Sequence, residues 1–85
     1  LELFAVHAPG LVSEIKSAGS EASWRNAAHS LKGSALAVGA WEVARRAEQA
    51  EAAADRYNKA GELVEMLEKA VENVRRYIAA RHLHA

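Results

Sequence analysis

The chain has no cysteine among its 85 residues, which excludes disulfides and thiolate metal sites and is compatible with a reducing compartment. It has one proline and five glycines, and its β-branched residues never cluster in the alternation a strand needs, so nothing argues for a sheet. Net charge is missing as well. Eleven basic side chains cancel eleven acidic ones, so the chain lacks the positive excess of a phosphate-backbone binder, and nucleic acid is not an expected partner. No stretch approaches the roughly 20 apolar residues that span a bilayer. Glu2, His7, Pro9 and Glu14 stand where a signal peptide needs an apolar run. The expectation is a cytoplasmic protein without direct membrane contact. The opening Leu1-Glu2-Leu3-Phe4 has no methionine, which fits a piece of a longer chain, including the cytoplasmic part of a membrane-bound one.

What is present is helix-forming. Alanine, glutamate, leucine, lysine and arginine dominate, and 51% of residues are hydrophobic, enough for one domain with a modest core. Four helices are expected, at about 1–18, 21–38, 40–55 and 62–81. The first carries Phe4, Ala8, Leu11, Val12 and Ile15 on one side, with Pro9 either kinking it or beginning its main part. Ser20 suits the N-cap of the second helix, and Gly39 suits a left-handed position at its end. In the third, Val43, Ala44, Ala47, Ala50 or Glu51, and Ala54 form a small-residue face that lets neighbouring backbones come close. Tyr57 to Gly61 reads as a break, alanine-flanked and so open to being short or partly helical, after which Val64, Leu67, Val71, Val74 and Ile78 make the seam of the fourth. Short connections make neighbours antiparallel, so the expected fold is all-α, an antiparallel up-down four-helix bundle filling residues 1–85. A dimerising two-helix hairpin is the competing architecture.

The stretch Ala28-His29-Ser30-Leu31-Lys32-Gly33-Ser34 is the most informative. Trp24, Ala28, Leu31, Ala35 and Val38 repeat at spacings of four and three, the pattern of a packed seam. His29 is off that seam, and Arg25, Lys32, Gly33 and Leu36 fall within roughly 60° of it about the helix axis. Glycine inside a helix costs about 1 kcal/mol relative to alanine. Gly33 therefore calls for a reason, and a bare surface one turn after His29 supplies one.

These residues resemble the histidine-containing phosphotransfer domains of bacterial phosphorelays. The similarity rests on the Ala28–Ser34 core, then Gly39-Ala40, then an alanine- and charge-rich helix through Glu48 to Glu51. It extends more loosely back to Phe4 and His7-Ala8-Pro9 and forward through Gly61-Glu62-Leu63 to the last helix. The related N-terminal domain of chemotaxis kinases usually has an aromatic residue after the second glycine. Here that position is Ala40, which points to the phosphorelay type.

The resemblance implies that His29 accepts a phosphoryl group from a receiver-domain aspartate and passes it to another. It implies that Lys32 supports the phosphoryl charge and that Gly33 keeps the approach open. Leu36 and Gly33, on the histidine's face, are expected to form an apolar docking patch for the receiver, whose acidic pocket Arg25 and Lys32 would face. Receiver domains are the implied partners, with a hybrid histidine kinase in cis as a further one. No cofactor is expected on this chain; Mg²⁺ belongs to the receiver. Phosphoryl transfer asks the protein mainly for positioning and charge compensation. No Walker loop is present, so no autonomous kinase activity is expected. No acidic partner is evident near His29, and Ser30 lies about 100° away from it around the helix, which argues against a Ser-His hydrolase pair.

An outward histidine on a helix is ordinarily just solvated; Lys32 and Gly33 set this one apart. His7, near a helix start, and His82 and His84, near the end of the last helix, read as ordinary residues; the His82/His84 spacing is not the four of a helical metal pair and a further ligand is lacking, so no metal site is expected. Trp24 and Trp41 read as core or half-core anchors. Arg45-Arg46 and Arg75-Arg76 read as solvated faces balanced by Glu48, Glu51, Glu68 and Glu72. Two alternatives remain open: a helical adaptor or dimerisation module that binds a signalling partner without phosphate chemistry, and a metal- or haem-binding bundle, which requires inward histidines that the seams lack.

Overall fold

A computed structural model describes residues 2–84, with side chains through residue 81. The expectations for His82 and His84 concern side chains outside the described ones. The described residues are all-helical. They form α1 (Glu2–Lys16), α2 (Glu21–Val38), α3 (Trp41–Ala52), a 3-10 segment (Ala54–Lys59) and α4 (Gly61–His84).

The boundaries of α2 follow from its caps. Ser20 has extended φ and ψ of −154° and 161°, and its hydroxyl oxygen accepts the Ser23 backbone N–H at 3.1 Å. At the other end Gly39 takes φ 75°, where a side chain would be strained. The Gly39 N–H donates to the Leu36 carbonyl at 3.3 Å and the Ala40 N–H to that of Ala35 at 2.9 Å. These two bonds make a Schellman stop, which reverses the chain into α3 within two residues.

Elsewhere the boundaries differ from expectation. α1 ends at Lys16 instead of Ala18 and runs through Pro9 as one helix. Proline there forfeits one backbone hydrogen bond. The third helix stops at Ala52, short of Asp55, because the chain tightens: the Ala53 N–H donates to both Gln49 and Ala50, and Arg56 donates to Ala53 at 2.8 Å. A 3-10 segment, Ala54–Lys59, thus straddles the expected end of the third helix and the first residues of the Tyr57–Gly61 break, giving five helical elements where four were expected.

Each helix buries one stripe: Phe4, Ala8, Val12 and Ile15 from α1; Trp24, Ala27, Ala28, Leu31 and Ala35 from α2; Val43, Ala44, Ala47 and Ala50 from α3; and Val64, Leu67, Ala70 and Val71 from α4. α2 packs against α1 and α3, and α4 packs against the same two. The alanine stripe of α3 lets it approach α2 closely enough for the buried Trp24 indole N–H to donate to the Ala50 carbonyl at 2.6 Å.

Two seam expectations are corrected. Val38 is 37% exposed, because it occupies the last turn of α2 beside the Gly39 reversal. Trp41 is 68% exposed and no core anchor. It opens α3 roughly 160–180° around the axis from the buried Val43 and Ala50. Among the described residues no helix is long and apolar enough to cross a membrane.

Candidate functional site

His29 stands mid-way along α2 with 69% of its side chain exposed, as its place off the seam requires. It is not alone. Its Nδ1 lies 2.8 Å from Glu51 Oε2, and the Lys32 ammonium donates to Glu51 Oε1 at 3.2 Å. One carboxylate of α3 therefore holds both His29 and Lys32 of α2. Burial pushes the Glu51 pKa up, but the hydrogen bonds from Lys32 and His29, with the Lys32 charge, outweigh it and hold the carboxyl below its ordinary value. Glu51 is accordingly ionised at neutral pH. An ionised carboxylate only accepts, so His29 Nδ1 carries the proton, and in the neutral ring Nε2 keeps its lone pair.

Gly33, one turn on, is exposed, and a β-carbon built there would meet nothing within 4 Å. The glycine is not demanded by packing within the chain. Leu36 lies a further turn along and is 46% exposed. Arg25 is on the same strip, but its guanidinium pairs with Glu21 one turn back.

The structure thus brings His29, Lys32 and Gly33 together, with Leu36 and Arg25 beyond them on either side. It corrects the expectation that no acidic group stands near the histidine, since Glu51 does. It also reassigns charges. Arg45 and Arg46 both pair with Glu42, at 3.0 Å each, and not with Glu48 or Glu51. The Glu42 carboxyl is lowered mainly by its hydrogen bond from Arg45, against a smaller opposing effect of burial. Arg75 and Arg76 both pair with Glu72 at 3.6 Å.

A family model for the Hpt domain matches residues 1–77. The chain belongs to the Hpt domain family. No curated protein and no solved structure matches it. Membership implies histidine phosphotransfer in phosphorelays, where Hpt domains interact with receiver domains.

Glu51 is the residue of this Hpt domain that sequence reasoning missed, and a signal for it existed. The chain reverses at Gly39-Ala40, so residues equally far from that link face each other. His29 lies ten residues before Gly39, and Glu51 eleven after Ala40.

Proposed function

We propose that His29 accepts a phosphoryl group from a receiver aspartate and passes it to a second receiver. One observation carries the reading: an exposed imidazole is held through Nδ1 by an ionised carboxylate, so that Nε2 is left with its lone pair beside a bare glycine. In the transfer, the Nε2 lone pair attacks the phosphorus of the aspartyl phosphate. The N–P bond forms as the bond between phosphorus and the aspartate oxygen breaks, and the aspartate leaves as its carboxylate. The Nδ1 proton stays in place. Positive charge develops on the ring, and Glu51 stabilises it through the Nδ1–H bond. The Lys32 ammonium has three donors and spends one on Glu51, leaving others for phosphoryl oxygens. Return transfer reverses these steps.

Mg²⁺ is carried by the receiver, and this chain supplies position and charge. The setting proposed is a single domain over residues 1–85 built as an up-down antiparallel four-helix bundle. It is cytoplasmic, either free-standing or joined to a hybrid histidine kinase, and has no kinase activity of its own. Receivers approach over Gly33, with Leu36 and Arg25 at the edges of the contact.

The test mixes the domain with a panel of phosphorylated receivers and follows which of them lose label to it. Acid-labile label is expected on the wild type. His29→Gln is expected to take none while its helical circular dichroism is unchanged. Label retained on His29→Gln refutes the assignment, and receiver binding without any label supports the adaptor alternative instead.

A further inference from the structure

Among the described residues, three side-chain hydrogen bonds cross from α2 to α3, and all of them end on two consecutive residues. His29 and Lys32 reach the Glu51 carboxylate at the outer margin. The third bond comes from inside: the indole N–H of Trp24, 2% exposed, donates to the Ala50 carbonyl at 2.6 Å. Trp24 stands five residues before His29 and roughly 140° away around α2. One helix thus grips neighbouring residues of the other from the core and from the surface.

The inner bond does what packing there does not. The buried stripe of α3 is Val43, Ala44, Ala47 and Ala50, and a row of alanines has shallow ridges that seat against a neighbouring helix at several heights. A buried hydrogen bond is directional and tolerates little displacement, so it fixes register where a smooth apolar face leaves it open. Ala50 lies in the last turn of α3, where carbonyls lose their regular helical donors. The indole N–H and the Ala53 N–H, the latter at 3.1 Å, take up this one. Register matters to the histidine. Moving α3 by one residue along its own screw carries Glu51 about 1.5 Å along the axis and about 100° around it, which ends a contact that stands at 2.8 Å from His29 Nδ1.

We propose that Trp24 is a positioning residue for the transfer: by anchoring the Ala50 carbonyl it sets the height and rotation of α3 on α2, so that the adjacent Glu51 carboxylate meets His29 Nδ1 and Nε2 keeps its lone pair. Trp24 is buried and acts only through Glu51. The inference rests on the phosphotransfer reading for the use of Nε2, but the choice of nitrogen is measurable without phosphate.

The test removes the N–H and keeps the ring. In Trp24→benzothienylalanine, sulfur replaces the indole N–H in a side chain of nearly the same shape. Nitrogen NMR of the His29 imidazole reads the tautomer, and label transfer from a phosphorylated receiver reads the rate, each in the wild-type chain and in Glu51→Ala, well below every thermal midpoint. Loss of the anchor is expected to move neutral His29 away from the Nδ1–H form and to slow transfer about threefold, a part of the loss caused by removing Glu51 itself. In Glu51→Ala the same replacement is expected to change neither, because the carboxylate it acts through is gone. Trp24→Phe, which lacks the donor in a smaller ring, is the second variant and is expected to repeat the pattern. An unchanged tautomer, or equal slowing with and without Glu51, overturns the inference and leaves Trp24 a packing residue. A shifted tautomer in a chain that takes no label from any receiver keeps the positioning role and removes the phosphotransfer reading.

Discussion

Replacing Gly33 with glutamine separates stability from function in opposite directions. The backbone at Gly33 is helical, since Gly39 is the only glycine at positive φ among the described residues, and a β-carbon there meets nothing within 4 Å. A side chain therefore enters without strain, and the helix gains. Glycine is about 1 kcal/mol worse than alanine in a helix, and glutamine lies much nearer alanine, so the expected gain is about 0.5 kcal/mol. In a domain of this size that raises the thermal midpoint by about 2–4 °C.

Transfer should move the other way. Side chains four apart on a helix have β-carbons about 5–6 Å from one another, so glutamine at this position reaches the imidazole of His29. Holding it aside for a receiver costs about 1–2 kcal/mol of rotamer freedom, which is roughly a tenfold slower transfer. Gly33→Ala should gain about 1 kcal/mol of stability and lose less rate, because its methyl is short. Thermal unfolding and the rate of label transfer, measured on the same preparations, check both signs. A Gly33→Gln variant that is less stable than wild type, or that transfers at the wild-type rate, refutes the reasoning.

Glu51→Ala removes the acceptor shared by His29 and Lys32. A hydrogen bond to a charged group is worth about 1.5–3 kcal/mol when sheltered, and the exposure of His29 cuts this to about 1 kcal/mol. Transfer is therefore expected to slow several-fold without being abolished, and an undiminished rate argues against positioning by Glu51. Because the Glu51 and Glu42 carboxyls are lowered in the folded state, the stability they contribute is complete above the ordinary carboxylate range and is lost as pH falls through the lowered values. Urea midpoints measured against pH should fall less steeply on the acid side for Glu51→Ala than for wild type. Trp24→Ala vacates a buried site and leaves a cavity beside Ala50, costing about 3–5 kcal/mol. Trp24→Phe, which forfeits the bond to the Ala50 carbonyl and part of the ring volume, should cost less in the same denaturant titration. Equal losses from the two variants exclude packing as the main role of this residue.

Local signals were legible in the sequence and long-range registration was not. The limits of α2 could be read because Ser20 and Gly39 act on their own neighbours, through bonds spanning three to five residues. Its seam at Trp24, Ala28, Leu31 and Ala35 could be read because burial follows the helical period. Glu51 escaped because its role depends on how α3 lies along α2, a relation across 22 residues that periodicity within either helix does not contain. The third-helix pattern left Ala50 and Glu51 as alternatives for one inner position. In the fold Ala50 goes inside, and Glu51 sits at the margin beside His29. Trp41 escaped for a related reason: bulk and apolarity suggest a core residue, but its angular position at the start of α3 turns it away from Val43 and Ala50. The alanines flanking the Tyr57–Gly61 break left it open to partial helix, but nothing local marked the start of the 3-10 turn at Ala54.

The central claim is that Glu51 leaves one particular nitrogen of one histidine available for phosphate. Phosphorus and nitrogen NMR of the domain after labelling by a phosphorylated receiver reads this directly. The account predicts a single phosphoramidate at Nε2 of His29. Phosphate at Nδ1 of His29, or on His7, His82 or His84 in its place, contradicts it.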